Sequence, residues 1–380
     1  MTESDNPIFQ IADRAAALRA TGVDVITLAA GEPDLPTATH IVDAAVDAAR
    51  DPRNHRYGPA GGLPALRSRI ADDGHPDHIT ADNVQVTVGT KHALHLALNA
   101  LTSPRDDVLV LRPSWPGHLG AVDSVGATAV QVDVDQDGLA STTALEAART
   151  PRTRAVVIAN PSNPSGVLHE RGLLADLAAW CVDHDIWLIS DEVYGGLTFD
   201  THRFSASNVV TDPSRLIVVD GVSKVHAMTG WRVGWLIGPT HVVANARRQV
   251  SATITHVSTI PQHAALAALS TPTAVHATTI EGYRTARDLL VGRLNTIPGV
   301  ECPTPAGGMF AFPDIRELLD DRHPSSASLA SRLLEDAHVA VVPSEVFNAE
   351  GRLRISFAVA HERLSHAAER LVRALTEGPT

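Results

Sequence analysis

Apolar residues recur along the chain either at helical spacing or in short runs, and their alternation predicts the order of the elements. Ile8, Ile11, Ala15 and Leu18 share one helical face over residues 7–21. V-D-V-I-T-L-A-A-G-E-P-D, residues 23–34, reads as a short strand and then an irregular turn set by Gly31 and Pro33. Residues 39–50 read as a helix, and Y-G-P-A-G-G-L-P-A-L-R, residues 57–67, as a glycine-rich loop before another. Strands and helices then alternate. V-Q-V-T-V turns through Gly89 into H-A-L-H-L-A-L-N-A-L, V-L-V-L-R runs into P-S-W-P-G-H, and R-A-V-V-I-A runs into N-P-S-N-P-S-G, residues 160–166. W-L-I-S-D-E-V-Y-G-G-L-T-F-D, residues 187–200, reads as a buried strand that delivers Asp191 and Tyr194 at its C-terminal end. Such alternation predicts an α/β fold. Past residues 220–235, polar helices lead to Y-R-T-A-R-D-L-L-V-G-R-L, residues 283–294. P-A-G-G-M-F-A-F-P-D, residues 305–314, then opens a strand pair, and V-A-V-V-P-S-E-V-F, residues 339–347, leads into G-R-L-R-I-S-F-A.

A chain of 380 residues can bury a large core and predicts two domains. Its 44% hydrophobic and 19% charged residues describe an ordinary globular protein. The net charge of −12 argues against broad affinity for nucleic acid or anionic membranes, while leaving room for a local basic pocket. Two cysteines, Cys181 and Cys302, make no disulfide framework, and Cys181 sits in an apolar helical pattern as a packing residue. The 19 histidines form no H-E-x-x-H set, so metal is not expected. The polar start M-T-E-S-D-N-P has no signal-peptide core, and no apolar run reaches the length of a membrane span. The cytoplasm is the expected location, and the terminal E-G-P-T is expected to fray.

The candidate chemistry centres on D-G-V-S-K-V-H-A-M-T-G-W-R-V-G-W, residues 220–235. Gly221 and Ser223 let backbone come close to something bulky beside Lys224. A desolvated lysine amine is a nucleophile toward carbonyls, and Arg232 offers the planar fork that suits a phosphate. Gly89, Thr90 and Lys91 open a helix after a strand, where free N–H groups and the dipole favour an anion. Pro113 and Pro116 restrict the backbone around Trp115, and two prolines and a glycine hold Asn163 in its loop. Asp191 ends its strand where α/β sheets place ligand groups.

These stretches closely resemble, in order, the motifs of class I/II aminotransferases, the fold-type-I enzymes of pyridoxal phosphate. The S-K-x-x-x-x-T-G-W-R-x-G segment, N-P-x-N-P-T-G with Ser165 for threonine, D-E-V-Y and R-I-S-F-A carry the resemblance. It implies a large domain on a mostly parallel seven-stranded sheet, residues 31–275, and a smaller α+β domain of residues 276–380 with an N-terminal segment, residues 1–30. It implies pyridoxal 5'-phosphate as cofactor, bound to Lys224 as a Schiff base. By the same resemblance the phosphate lies at Gly89, Thr90, Lys91, Ser223 and Arg232, and Trp115 stacks on the ring. Asp191 meets the ring nitrogen, and Asn163 and Tyr194 meet the phenolic oxygen. Arg354, with Gly31 and Asn163, takes the substrate carboxylate, while strand alternation turns Arg352 away. Tyr57 would reach the partner's phosphate in a homodimer with shared sites. The implied reaction is ping-pong transfer of an amino group between an L-amino acid and a 2-oxo acid. A carbon–sulfur β-lyase, or a cyclase or oxidase acting on an amino acid in natural-product biosynthesis, shares the same motifs and stays open. An effector domain of a transcription regulator is disfavoured, since no helix-turn-helix domain fits before Ile8.

Overall fold

Three sheets, of seven, three and two strands, divide between a larger and a smaller body. The structure, a computed structural model, describes residues 7–200, 204–271 and 273–376. The expectations for both chain ends and for the side chain of Ile8 lie outside the described residues. The chain begins with α1 (Pro7–Ala20), the two-residue strand β1 (Ile26–Thr27), α2 (Thr39–Arg50) and α3 (Pro64–Ala71). An alternating series follows: β2 (Val84–Thr87), α4 (Gly89–Leu101), β3 (Asp107–Arg112), α5 (Pro116–Asp123), β4 (Thr128–Asp133), α6 (Thr142–Ala148), β5 (Thr153–Ala159), α7 (Arg171–Asp183) and β6 (Trp187–Asp191). Then come β7 (Leu216–Gly221), β8 (Gly234–Ile237), α8 (Thr240–Thr253), α9 (Thr259–Leu269) and the long α10 (Thr273–Leu294). The chain closes with β9 (Phe310–Ala311), α11 (Ser326–Asp336), β10 (Val339–Ala340), β11 (Val342–Pro343), β12 (Leu353–Ser356) and α12 (His361–Thr376).

The large sheet has seven strands in the order β2-β8-β7-β6-β5-β3-β4, and only β8 runs antiparallel to its neighbours. Alternate residues of the central strands feed opposite cores. Leu109, Val156, Leu188 and Val218 pack toward α7, whereas Val108, Val157, Ile189 and Val219 pack toward α4 and α8. Burial on both faces is why these strands read as continuous apolar runs. Because β3, β5, β6 and β7 are parallel, their last residues, including Asp191 and Gly221, come out along one edge.

A smaller body is built from both ends of the described chain. β1 pairs in parallel with β10, Ile26 against Val339, and β11-β12-β9 form an antiparallel sheet. Phe310, Leu333, Ile355, Phe357 and Leu364 fill its core with Leu28 and Ile26.

Two expectations need correction. The strand expected over 187–200 stops at Asp191. Gly195 and Gly196 break the run, so Tyr194 sits in a tight turn closed by Gly195 N–H to Glu192 O (2.6 Å) and Leu197 N–H to Tyr194 O (2.8 Å). The helices after residue 235 are not uniformly polar either. Ala264, Ala265 and Ala268 of α9 are fully buried, and small side chains let α9 lie close against α2.

Gly234 joins the sheet to the anion-binding turn, for a Cβ there would lie 2.6 Å from the backbone of Gly89 and Thr90. Gly234→Ala should therefore destabilise the protein by about 1–3 kcal/mol through overpacking. Gly292→Ala, at an exposed helical site with nothing within 4 Å, should leave stability unchanged or raised. Thermal melts of the two variants check this, and an unshifted Gly234→Ala melt would sink the argument.

Candidate active site

The site is assembled at the C-terminal edge of the large sheet, beginning with its anion-binding end. The chain leaves β2 through Val88 and turns at Gly89, whose φ of +75° favours glycine. The Arg232 fork comes close to this turn, for a Cβ at Gly89 would lie 2.5 Å from a guanidinium nitrogen and push it aside. The first N–H groups of α4 and the Arg232 fork thus converge on one point. Arg232 itself takes a left-handed backbone, φ +57°, and its Nη1 donates to the carbonyl of Thr229 at 3.0 Å. Thr90, Lys91 and Ser223 line the same cleft, with the Lys91 ammonium 5.2 Å from the Trp115 ring centre.

At the opposite end Asp191 is buried and aimed into the cleft. Its Oδ2 lies 3.0 Å from His118 Nε2, and its Oδ1 accepts the Val193 N–H at 3.2 Å. His118 is 2% exposed on α5 and meets Trp115 edge to face at 5.5 Å. Sequence reasoning missed His118, although P-S-W-P-G-H contains it. A signal existed, for Pro116 starts a helix and places His118 in its first turn, beside the aromatic.

Lys224 lies between these two ends. Its Nζ donates to the Gly31 carbonyl at 2.5 Å. Burial lowers its pKa to about 8; Glu32 opposes that shift, and Arg354 and Arg232 add to it. Asn163 is fixed in its proline-bracketed loop and accepts from Arg354 Nη1 at 3.2 Å. Tyr194 is buried and hydrogen-bonded with Asn163, and loss of water raises its pKa. Arg354 is 3% exposed, donates to Ala29 O at 2.9 Å, and lies 4.2 Å from the Phe310 ring and 5.0 Å from that of Phe347. Burial lowers its pKa to about 10, so it remains a cation at neutral pH. Its Nε is buried with no acceptor among the described residues. Arg352 turns the other way, to Asp314 at 3.2 Å. Glu192 also points away, accepting from Ser190 and from Ala206 N–H.

The sequence-predicted residues therefore surround one cleft of about 180 Å³. Tyr57 is the exception: it is 86% exposed and touches His256 edge to face, outside the cleft. The donor set suits a phosphorylated pyridine aldehyde. An anion cradle that a Cβ at Gly89 would fill stands at one end, and a buried carboxylate answers a protonated ring nitrogen at the other. Between them lies an amine that burial makes nucleophilic near neutral pH, with the buried Arg354 guanidinium at the same cleft.

Comparison with known proteins agrees with this reading. The model of the family "Aminotransferase class I and II" matches residues 23–371. The aspartate aminotransferase of Streptomyces avermitilis is 38% identical, over 98% of this chain and 95% of its own. The aspartate/prephenate aminotransferase of Thermus thermophilus is 36% identical, over 95% and 94%. Among solved structures, the aspartate aminotransferase from Rhizobium meliloti superposes with a TM-score of 0.92 at 33% identity, covering 97% of this chain and 95% of its own. The Thermus thermophilus aspartate aminotransferase with maleate gives 0.89 at 35%, covering 97% and 96%.

The Lys224 amine should titrate near pH 8 in the cofactor-free protein. Competitive acetylation across a pH series, read by peptide mass spectrometry, measures this. A midpoint near the 10.5 of an ordinary lysine would contradict the desolvated amine.

Proposed function

The chain belongs to the class I and II aminotransferases, and from that membership we propose that its amino donor is an acidic amino acid, L-aspartate foremost. The protein is a pyridoxal-phosphate-dependent aminotransferase that moves an amino group between an L-amino acid and a 2-oxo acid by a ping-pong mechanism. The reaction is amino transfer rather than the lyase, cyclase or oxidase chemistry that the motifs alone leave open.

The observation that carries the acidic donor is where the chain keeps lysine. Of its 31 Lys and Arg residues, only Lys91 and Lys224 are lysine, and both line the same cleft. Every other basic position uses arginine, so the compact ammonium at Lys91 marks a place where a guanidinium fork would not serve. Lys91 is exposed at the cleft and makes no ion pair among the described residues. Arg354 answers the α-carboxylate, and Lys91 is left for a second carboxylate on the donor side chain. The names of the relatives, and maleate (itself a dicarboxylate) with the Thermus protein, support the same choice.

When bound, pyridoxal phosphate supplies an aldehyde and an electron-withdrawing ring that eases loss of the substrate α-proton. In this reading the N–H groups of Gly89, Thr90 and Lys91, with Ser223 and Arg232, hold its phosphate, and Trp115 covers its ring. Asp191 holds the proton on the ring nitrogen, and His118 keeps that carboxylate in place. Asn163 and Tyr194 orient the phenolic oxygen. The Lys224 amine takes the proton from the substrate α-carbon and returns it to the adjacent position. Arg354, beside Gly31 and Asn163, aligns the substrate so that the breaking bond faces the ring. We assign residues 31–275 to a large cofactor-binding domain, with residues 1–30 and 276–380 forming the smaller one. Tyr57, exposed and outside its own cleft, completes the site of a second copy in a homodimer.

Lys91→Ala should raise the KM for aspartate roughly 10–100-fold, the loss of one charge-assisted hydrogen bond, and change the KM for alanine little. Steady-state kinetics with both donors decide this, and equal effects on the two would overturn the role of Lys91. Shared sites have a separate test. Hybrids of Lys224→Ala and Tyr57→Phe subunits contain one intact site and should recover activity that neither parent shows in full; a monomer with the full rate would refute sharing.

A further inference from the structure

Residues 28–37 form a strap across the cleft. Leu28 N–H bonds Ala340 O at 2.8 Å and Asp34 N–H bonds Ala358 O at 2.9 Å, tying the strap to the smaller body. Ser356 N–H to Leu28 O (2.8 Å) and Arg354 Nη2 to Ala29 O (2.9 Å) add to that tie, and further attachments go to the segment that carries Lys224. Lys224 Nζ donates to Gly31 O, Thr229 Oγ1 donates to Glu32 Oε2 at 2.9 Å, and Thr37 Oγ1 donates to Ala227 O at 2.7 Å. Trp231 Nε1 in turn donates to Thr37 Oγ1 at 3.0 Å. Thr229 is the junction, since its hydroxyl meets Glu32, its carbonyl takes Arg232 Nη1, and its side chain lines the cleft.

We propose that Glu32 is a positioning residue for amino transfer: held by Thr229, its carboxylate keeps the transferred proton on Lys224 until the return step. The inference rests on the reading of Lys224 as the proton carrier.

Charges of both signs act on Lys224. Arg354 from β12 and Arg232 from the lysine's own segment face it, and both disfavour a proton there. Lys91 and Tyr194 line the same cleft from α4 and from the turn after β6. Asp191, at the end of β6, favours the proton, but its carboxylate is engaged with His118 and the Val193 N–H. His118 faces Asp191 rather than the amine. Glu32 directly follows Gly31, whose carbonyl takes the Lys224 amine, and Thr229 holds its carboxylate at the same cleft, so its charge favours the protonated amine. A base that must take a proton and return it works best with a pKa near the working pH, and burial, with Arg354 and Arg232 adding to it, pulls this one down. Glu32 sits on the strap rather than in the sheet. Its pull on Lys224 therefore depends on the strap lying across the cleft, held by Thr229.

The test uses the 380-residue chain freed of cofactor, where Lys224 and Lys91 are the two side-chain amines that acetylation can report. Glu32→Gln keeps an acceptor for Thr229 and removes the charge. Its Lys224 midpoint should fall on the order of half a pH unit below wild type at low salt. The difference should shrink in 1 M salt, where the Debye length is about 3 Å. Glu32→Asp, which keeps the charge, should restore most of the midpoint. In the holoenzyme, the acidic limb of the pH–kcat profile should shift in the same direction. A wild-type midpoint in Glu32→Gln overturns the proposal, as does a shift that 1 M salt leaves intact or that Glu32→Asp reproduces in full. Circular dichroism checks that the variants are folded. The amine titration involves no substrate, so it can fail while the donor assignment stands, and the reverse holds for the aspartate kinetics.

Discussion

Holding a lysine amine out of water without a carboxylate clamped against it is the constraint on which this molecule depends. A lysine paired closely with Asp or Glu would stay charged and inert, and one left in water would titrate near 10.5. Lys224 avoids both outcomes because the large sheet and the smaller body meet over it. The large sheet supplies the floor through the ends of β5, β6 and β7, and the smaller body supplies Arg354 and, with β1 and the strap, the cover. Arg354 meets the same constraint from the other sign. Its charge survives burial because two aromatic faces and two oxygen acceptors surround it.

Asp191 shows how the fold places a charge where it is costly. A carboxylate at the end of a buried parallel strand needs partners, and it has a backbone N–H in the next turn and an imidazole from α5. The imidazole stands edge-on to Trp115, so one short helix sets both the aromatic wall and the partner of the carboxylate. Chemistry at the two ends of the cleft is thereby tied to the packing of α5.

Much of this was legible in the chain. The glycine turn into α4, the proline-held Asn163, the strand end at Asp191 and the S-K…R spacing are local features, each fixed by a few adjacent residues, and each falls where its pattern predicts. What was not legible is long-range. No local pattern pairs Glu32 with Thr229, or Gly31 with Lys224, because those contacts exist only once both bodies are folded. His118 escaped because its role comes from Asp191, far away in sequence. The tight turn at Tyr194 was hidden by an apolar context that reads as strand until the two glycines are given their weight. The scarcity of lysine was open to inspection from the start, but a composition that pools Lys with Arg conceals it.

The pairing of Ile26 with Val339 bears on how the protein comes off the ribosome. The strands of the large sheet are all made before α10, so that sheet can collapse while synthesis continues. Its N-terminal neighbour β1 has no such early partner, and the edge it will cover is translated among the last elements. β1 must therefore wait through most of elongation, although the strap's partners at Lys224, Ala227 and Thr229 are made earlier, and loop-closure entropy makes the β1–β10 pairing a late event. The nascent chain thus has the floor of its cleft, with the glycine turn into α4, complete before β10 exists to pin the roof.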